Sequence, residues 1–254
     1  MEYQNRSGFF NNIPLVTKNL IIINCLCWMA SLILPKFHVD LIQWLGLHFP
    51  GGADFYPFQL ITYMFMHDTH SFGHIFFNMF AVFMFGSALE NVWGPKRFLI
   101  FYLVTGAGAA VINIVVAYLR IQPLESMMSV EMMEEVYRSG GELLRSGRNY
   151  ADPLMGQLNF LINTPTVGAS GAVFGILLGF GMLFPNTSLY IFFVPIPIKA
   201  KYFVVIYGFI ELFLGFADFN GDNVAHFAHL GGMLFGFFMI RYWKKKEQKN
   251  ERYF

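Results

Sequence analysis

The sequence predicts an all-α, polytopic membrane protein: a bundle of six transmembrane helices. Only 13% of its 254 residues are charged, whereas soluble domains carry roughly a quarter. Six apolar runs have about the length that a helix needs to cross a bilayer. The Lys and Arg residues of the short loops fall on one side if there are six spans, which is the usual pattern of membrane proteins.

Prolines and glycines set several ends of the predicted spans, because they interrupt helices. In chain order the spans are Asn19–Leu34, ended by Pro35; Ser71–Val92, closed by Gly94-Pro95; Phe98–Leu119; Gly168–Phe184, stopped by Pro185; Ala200–Phe216, preceded by a turn with two prolines; and Asn223–Trp243. One domain, residues 1–254, accounts for all six.

Two segments between the spans are too long to be simple turns. Residues 36–70 are rich in aromatic side chains and predict a structured loop in the membrane interface. Residues 120–165 form an outer insertion with helical spacing and a Glu134–Arg138 pair. We expect short amphipathic helices here, interrupted at Gly140-Gly141. A solvated spacer and a lid or substrate role both remain open for this insertion.

The charge pattern predicts orientation and partners. The basic side includes Lys96, Arg97 and the tail residues Lys244, Lys245 and Lys246. It should be cytoplasmic and should hold both termini. A net charge of +1 gives no reason to expect a nucleic acid partner, so the surrounding lipid and other membrane proteins are the expected partners. Cys25 and Cys27 are expected to be packing residues.

Polar side chains within the spans point to function, because such groups are costly in lipid and usually face the bundle interior. His74 and Asn78 lie one turn apart at the start of the second span. Ser170 opens the fourth span, and His229 lies near the start of the sixth. By the predicted topology, all three spans enter from the outer side. Three segments therefore deliver these groups to a similar depth.

Small residues indicate how these groups can meet. Glycines recur at spacings of three and four along the fourth span: Gly168, Gly171, Gly175 and Gly179. Gly232 and Gly236 form a GxxxG pair just after His229. Such spacing lets membrane helices approach closely, and close approach of the fourth and sixth spans would bring Ser170 within reach of His229.

The chemistry that fits these residues is acyl transfer. Serine becomes a nucleophile when a base such as His229 takes its proton. His74, Asn78 and the N–H groups at the start of the fourth span can stabilise an oxyanion. No carboxylate is expected beside His229, which predicts a dyad rather than a triad. Glu211 is expected to reach water, and Glu90 to bond to groups near the inner surface.

Each residue also has a purely structural interpretation. Ser170 can cap its helix, His74 and Asn78 can be a packing pair, and His229 can be a core histidine. Phe174, one turn after Ser170, can pack against the imidazole. Histidine groupings raise the question of a metal: His67, His70 and His74, or His226 and His229. Without an HExxH motif or a clear carboxylate ligand, we predict no metal.

Three motifs together resemble the rhomboid family of intramembrane serine proteases, from about Phe55 to Ile240. They are the GxSG at Gly168-Ala169-Ser170-Gly171, the HxxxN at His74 to Asn78, and the AHxxGxxxG at Ala228 to Gly236. The resemblance implies a Ser170–His229 dyad. It also implies an oxyanion hole formed by His74, Asn78 and backbone at Gly168, Ala169 and Ser170. Phe174, Gly232 and Gly236 would pack near the dyad.

The sequence departs from the family at three places. Phe58-Gln59 stands near the Trp-Arg pair that some rhomboids have in the first outer loop, which leaves the anchoring of that loop open. Phe174 stands where some members have Tyr, so a ring remains and a hydroxyl is lost. The outer insertion is longer than a minimal member needs.

The sequence therefore predicts an intramembrane serine endopeptidase without a cofactor. Its substrates would be single-span or other transmembrane proteins, cleaved within or near their membrane-spanning segments. Resemblance to bacterial members implies a multi-pass protein of the plasma (inner) membrane. A catalytically silent relative that acts as a membrane adaptor or chaperone is the main alternative. A transporter fits less well, because no polar track continues to the inner side. Oligomeric state is not encoded in these motifs.

Overall fold

The computed structural model describes residues 12–190, 197–217 and 225–251. The described helices are α1 (Leu15–Ile33), α2 (Leu41–Leu45), α3 (Gln59–Thr62), α4 (Phe72–Ala81), α5 (Ser87–Trp93), α6 (Pro95–Ser126), α7 (Val130–Arg145), α8 (Pro153–Asn163), α9 (Ser170–Leu183), α10 (Ala200–Ala217) and α11 (Ala225–Glu251). Short 3₁₀ turns cover Leu34–Phe37 and Tyr63–Phe65, and a π-helical stretch, Val82–Gly86, joins α4 to α5. Strands β1 (Ser188–Leu189) and β2 (Ile198–Lys199) pair antiparallel, with Ser188 opposite Lys199.

Helices occupy all six predicted spans. Three stretches of the described chain are long and apolar enough to cross a membrane: Leu15–Phe37, Phe72–Trp93 and Pro95–Ser126. Helix α9 is a shorter apolar helix. The all-α membrane bundle is thus confirmed, and the count of six crossings stays a prediction. The predicted start of the last span, at Asn223, lies outside the described residues.

The third span is longer than predicted. Helix α6 continues seven residues beyond Leu119, through Pro123, to Ser126. The proline lies in the last turn, where the missing N–H costs a single hydrogen bond and the chain is leaving the apolar region. The polar residues from Arg120 onward therefore end the apolar run without ending the helix.

Helices α6, α9 and α11 form the centre of the bundle. Most of α9 is buried, including Val173, Ile176 and Phe180. A helix that is apolar all round belongs inside a bundle, and small residues let its neighbours approach. Ser170, the first residue of α9, is thus held by the most enclosed helix of the described chain.

A buried carboxylate of α5 fastens α1 to the bundle. Glu90 is 4% exposed. It accepts hydrogen bonds from the backbone N–H of Val16 (2.9 Å) and Thr17 (2.7 Å) and from the Thr17 hydroxyl (2.8 Å). The first N–H groups of a helix lack partners within the helix, so Glu90 caps α1 from another segment. The expectation that Glu90 bonds to groups near the inner end is confirmed.

The outer insertion folds into the helices α7 and α8 over its own small core, which includes Ile121, Val136 and Leu158. The predicted amphipathic helices are confirmed, but the interruption at Gly140-Gly141 is wrong. Helix α7 runs through both glycines. Gly140 lies where α7 contacts α8, and a Cβ there would lie 2.2 Å from the Asn159 amide oxygen. The glycine is needed for packing against α8. Arg138 also pairs with Glu135 rather than with Glu134.

The first outer loop is anchored by Gln59, the residue that departs from the family pattern. Its side chain is fully buried, donates to the carbonyls of Trp44 (3.1 Å) and Asp54 (2.8 Å), and accepts from the His48 N–H (3.2 Å). Asp54 in turn pairs with Arg145 of α7 at 3.0 Å. The glutamine therefore holds the loop, and the ion pair connects the loop to the outer insertion.

Candidate active site

Ser170 is presented at the end of a loop whose backbone is fixed by hydrogen bonds. Leu47 and Thr166 form an antiparallel bridge through two N–H···O bonds of 2.9 and 2.8 Å. The Gly168 N–H donates to the Tyr63 carbonyl at 3.0 Å. Ser170 is the first helical residue, and no side chain caps α9, so the interpretation of Ser170 as a helix cap is wrong.

A cavity of about 670 Å³ brings Ser170, His74 and His229 together. Its walls combine polar and apolar side chains. The remaining lining residues are Leu47, His48, Phe49, Asp68, Asn113, Ile114, Ala117, Phe160, Leu161, Thr164, Pro165, Thr166 and Val167. Six of these belong to α8 or to the segment between α8 and α9, and four of the six lie within the outer insertion. The end of the outer insertion therefore forms one wall of the cavity.

The His229 ring is held on two sides. Phe174 stacks on it, with ring centroids 4.2 Å apart and an interplanar angle of 6°. Its Nδ1 lies 2.8 Å from Oε2 of Glu211. A carboxylate only accepts hydrogen bonds, so Nδ1 carries the proton and Nε2 of the neutral ring is an acceptor. This Nε2 is buried and has no hydrogen-bond partner among the described residues.

The His74 ring has the opposite tautomer. Its Nδ1 lies 3.3 Å from the Asp68 backbone N–H, which can only donate, so the ring proton of neutral His74 lies on Nε2. This nitrogen and the Ser170 hydroxyl oxygen are 2.8 and 3.6 Å, respectively, from the point that a Cβ on Gly168 would occupy. A hydrogen-bond donor therefore lies near Ser170.

Asn78 is placed differently from the prediction. Its amide donates to the His74 carbonyl one turn earlier, at 2.8 Å, and it is not among the residues that line the cavity. The bond stabilises the turn of α4 that carries His74. One of the two amide hydrogens is used in this way.

Two further histidines lie in or beside the outer wall of the cavity, outside the membrane helices. Burial, together with the neighbouring His74 ring 5.2 Å away between centroids, lowers the pKa of His67 to about 3. Burial also lowers the pKa of His48. Both rings are therefore neutral near pH 7, and they add no positive charge beside Ser170.

Helices α9 and α11 are in backbone contact directly below Ser170 and His229. A Cβ on Gly232 would lie 1.8 Å from the Gly171 carbonyl oxygen. One turn further along, a Cβ on Gly236 would lie 3.4 Å from Gly175 Cα. The two glycine pairs face each other, as the spacing predicts.

Gly168 has a backbone conformation that other residues rarely adopt, with φ of +125°. If Ser170 is a nucleophile and His74 an oxyanion donor, we expect Gly168→Ala to reduce kcat/KM about 100-fold, the effect of losing one such donor. The added methyl would displace the His74 ring, and the backbone would be strained by about 1–3 kcal/mol. Cleavage of a transmembrane test substrate measures the loss.

Gly147→Ala is the matched control. Gly147 also has a positive φ, +74°, but a Cβ there meets nothing within 4 Å. It should lose stability of a similar size and keep its activity. Equal activity losses in both variants would show that backbone strain alone, and not the His74 contact, is responsible.

Sequence reasoning missed Glu211. It was expected to reach water, and no carboxylate was expected beside His229. Instead Glu211 is 4% exposed and contacts both His226 (2.7 Å) and His229 (2.8 Å). An acidic residue inside an apolar run was the available signal. Its partner was hidden because α10 and α11 are separate in sequence, and their relative rotation is not encoded in either run.

The same three side chains offer the ligand types that zinc takes, with ligand atoms within 4.8 Å of one another. The two short N···O distances are those of hydrogen bonds and account for the cluster without an ion. The absence of a metal stays a prediction.

A comparison with protein-family models finds the rhomboid domain over residues 55–246. The chain belongs to the rhomboid family. The match contains His74, Asn78, Ser170, Glu211 and His229, and it confirms the family resemblance predicted from the motifs.

Among curated proteins this rhomboid is similar to the RHOMBOID-like protein 12, mitochondrial, of Arabidopsis thaliana. The two are 28% identical over 175 residues, which is 68% of this chain and 42% of the relative. The chain thus spans less than half the length of that relative. Family membership and the apolar helices make this rhomboid a membrane protein.

Proposed function

We propose that this rhomboid is an intramembrane serine endopeptidase. The observation that carries the proposal is the pair of opposite tautomers on one cavity: an acceptor nitrogen on His229 and a donor nitrogen on His74, with Ser170 beside them. A general base and an oxyanion donor are the two groups that an activated serine needs. The tautomer of each ring is set by the hydrogen bond at its Nδ1, which His229 donates to Glu211 and His74 accepts from the Asp68 N–H.

The proposed reaction has two steps. Ser170 Oγ attacks the substrate carbonyl, its proton passes to His229 Nε2, and the new C–O bond gives a tetrahedral oxyanion. His74 Nε2–H and the N–H groups at Ala169 and Ser170 are the proposed donors to this oxyanion. The Gly168 N–H, predicted as a further donor, already donates to the Tyr63 carbonyl. Collapse expels the amine, which takes the proton from His229. A water molecule then attacks the acyl-enzyme carbonyl and gives its proton to His229. Collapse of this second intermediate releases the carboxylic acid product and returns the proton to Ser170. The second amide hydrogen of Asn78 is available for a supporting role.

The proposed substrates are single-span or other transmembrane proteins. They would be cut within or near their spans, because Ser170 is the first residue of the apolar helix α9, whose N-terminal end is the outer one in the proposed topology. The short length of α9 supports entry of water from the outer side. Cytoplasmic termini in a plasma (inner) membrane are part of the same proposal, based on the basic loops.

A catalytically silent membrane adaptor or chaperone is the second candidate. The observation that favours it is the unpartnered Nε2 of His229, which makes no hydrogen bond to Ser170. Such bonds are often loose without substrate and tighten in the complex, so this observation alone does not remove the proposed base.

Reconstitution tests the proposal. The purified protein in liposomes should cleave labelled single-span substrates whose outer ends contain helix-breaking residues, and a fluorophosphonate should modify Ser170, as located by mass spectrometry. Cleavage with Ser170 modification supports the protease. No cleavage of any substrate in the panel, together with no modification of Ser170, would refute it in favour of the adaptor.

A further inference from the structure

Glu211 lies in α10, six residues before the outer end at Ala217, which is about 9 Å along the helix. Its carboxylate oxygen Oε2 accepts from Nδ1 of His226 at 2.7 Å and from Nδ1 of His229 at 2.8 Å. The side chains of Glu211, His226 and His229 are only 6%, 12% and 13% exposed. One buried carboxylate oxygen therefore serves two imidazoles.

The two histidines differ in what they reach. His229 lines the cavity with Ser170, whereas His226 is not among its lining residues. His226 approaches the same oxygen from the previous turn of α11, with its ring at 88° to that of His229. It fixes the carboxylate, and the carboxylate fixes His229.

This placement has a chemical consequence. A neutral imidazole without a partner exchanges its proton between Nδ1 and Nε2. The contact with Glu211 holds the proton on Nδ1, so that Nε2 faces the cavity as an acceptor. When His229 takes a second proton, the negative charge 2.8 Å away offsets the new positive charge. This interaction is stronger in a buried site than in water.

The cost of burial argues against a purely structural role. Taking a carboxylate out of water costs several kcal/mol, even when hydrogen bonds compensate part of it. Apolar side chains would hold α10 against α11 without this desolvation penalty. An imidazolium that forms during a reaction, by contrast, is stabilised by the carboxylate.

We propose that Glu211 is a positioning residue for His229, so that Ser170, His229 and Glu211 act as a serine–histidine–carboxylate triad. Glu211 stays ionised throughout and touches no reacting atom. The inference rests on the proposed protease function and replaces the dyad predicted from the sequence.

The first test is Glu211→Gln, which keeps the shape and removes the charge. We expect kcat to fall by up to about 10⁴-fold, the loss seen when the carboxylate of a serine protease triad is replaced by its amide, with KM almost unchanged. Glu211→Asp, which keeps the charge, should recover part of the loss. The matched control is Glu90→Gln, the same change at another buried carboxylate of 4% exposure. It should lower Tm and leave kcat per folded molecule unchanged.

The second test needs no activity. In ¹⁵N-histidine spectra of the wild-type protein in nanodiscs, His229 should have a protonated Nδ1 and an unprotonated Nε2. Glu211→Gln should mix the two tautomers. The spectra therefore keep the proposal testable if a variant fails to fold or if no substrate is cleaved.

The proposal would be overturned by a wild-type kcat in folded Glu211→Gln, by a parallel loss of Tm and activity that Glu211→Asp does not relieve, or by a proton on His229 Nε2. Abolition of wild-type activity by a chelator would also overturn it, in favour of a metal on the same side chains. Failure of the protease proposal looks different, because the wild-type protein would then neither cleave nor react at Ser170.

Discussion

Replacing Ser170 with alanine, or His229 with alanine, is expected to reduce cleavage of a transmembrane substrate by about four orders of magnitude or more. Residues of a serine protease site act as a unit, so losing either one costs about as much as losing both. The double variant should therefore be no slower than either single variant. Cleavage rates in liposomes, with initial rates normalised to folded protein, provide the measurement.

The matched control is Ser31→Ala. Ser31 is another buried membrane hydroxyl, 4% exposed, and it donates only to the Cys27 carbonyl of its own helix at 3.0 Å. Its loss should leave cleavage unchanged. Cleavage that survives both Ser170→Ala and His229→Ala would contradict the assignment of nucleophile and base.

The sequence was sufficient to predict where the site lies, because lipid imposes strong constraints on a membrane chain. Apolar runs must form helices there, since each unsatisfied backbone group is costly. Depth along each helix then follows from the constant rise per residue. Ser170, His74 and His229 could therefore be brought to one level without knowledge of the packing, and all three line one cavity.

What the sequence did not predict depends on rotation and contact between helices. Glu211 and Asn78 lie in helices where the sequence predicts spans, but their partners follow from how the helices turn about their axes. The apolar pattern of a buried helix such as α9 is nearly uniform around its circumference and does not specify that rotation. The same reason explains Gly140, which looks like a helix interruption and is a contact point for Asn159.

The position of the outer insertion also depends on contacts that its own sequence does not predict. Its composition predicts exposed amphipathic helices, and α7 is such a helix. Its last part nevertheless enters the cavity wall, because the α7–α8 core is fastened to the first outer loop through Arg145 and Asp54. No local pattern in either segment predicts this ion pair, since each side chain alone is typical of a solvated surface.

Gly232→Val is expected to abolish activity without removing any proposed catalytic group. The Cβ of the new side chain would lie 1.8 Å from the carbonyl oxygen of Gly171 and 2.7 Å from its carbonyl carbon. Both are backbone atoms of a buried helix, so neither can turn away, and α11 must shift from α9. Ser170 precedes Gly171, and His229 lies one turn before Gly232. The shift therefore separates nucleophile from base, and a displacement of about 1 Å can cost about 10²-fold in rate.

Two substitutions calibrate this effect. A Cβ on Gly208 of α10 meets only the flexible end of Met233, at 3.3 Å, so Gly208→Ala should be tolerated. A Cβ on Gly236 meets Phe101 at 3.2 Å and Gly175 Cα at 3.4 Å, so Gly236→Ala should give a loss between the other two. Cleavage, fluorophosphonate labelling and Tm are measured for each.

A labelling rate that falls in the order Gly208→Ala, Gly236→Ala, Gly232→Val would tie reactivity at Ser170 to the spacing of the two backbones. Overpacking costs roughly 1–3 kcal/mol, and occasionally more, so a folded but unreactive Gly232→Val protein is the expected product. Normal activity in that variant would mean that the α9–α11 contact is not needed to hold Ser170 against His229. The glycine pairs would then serve packing alone.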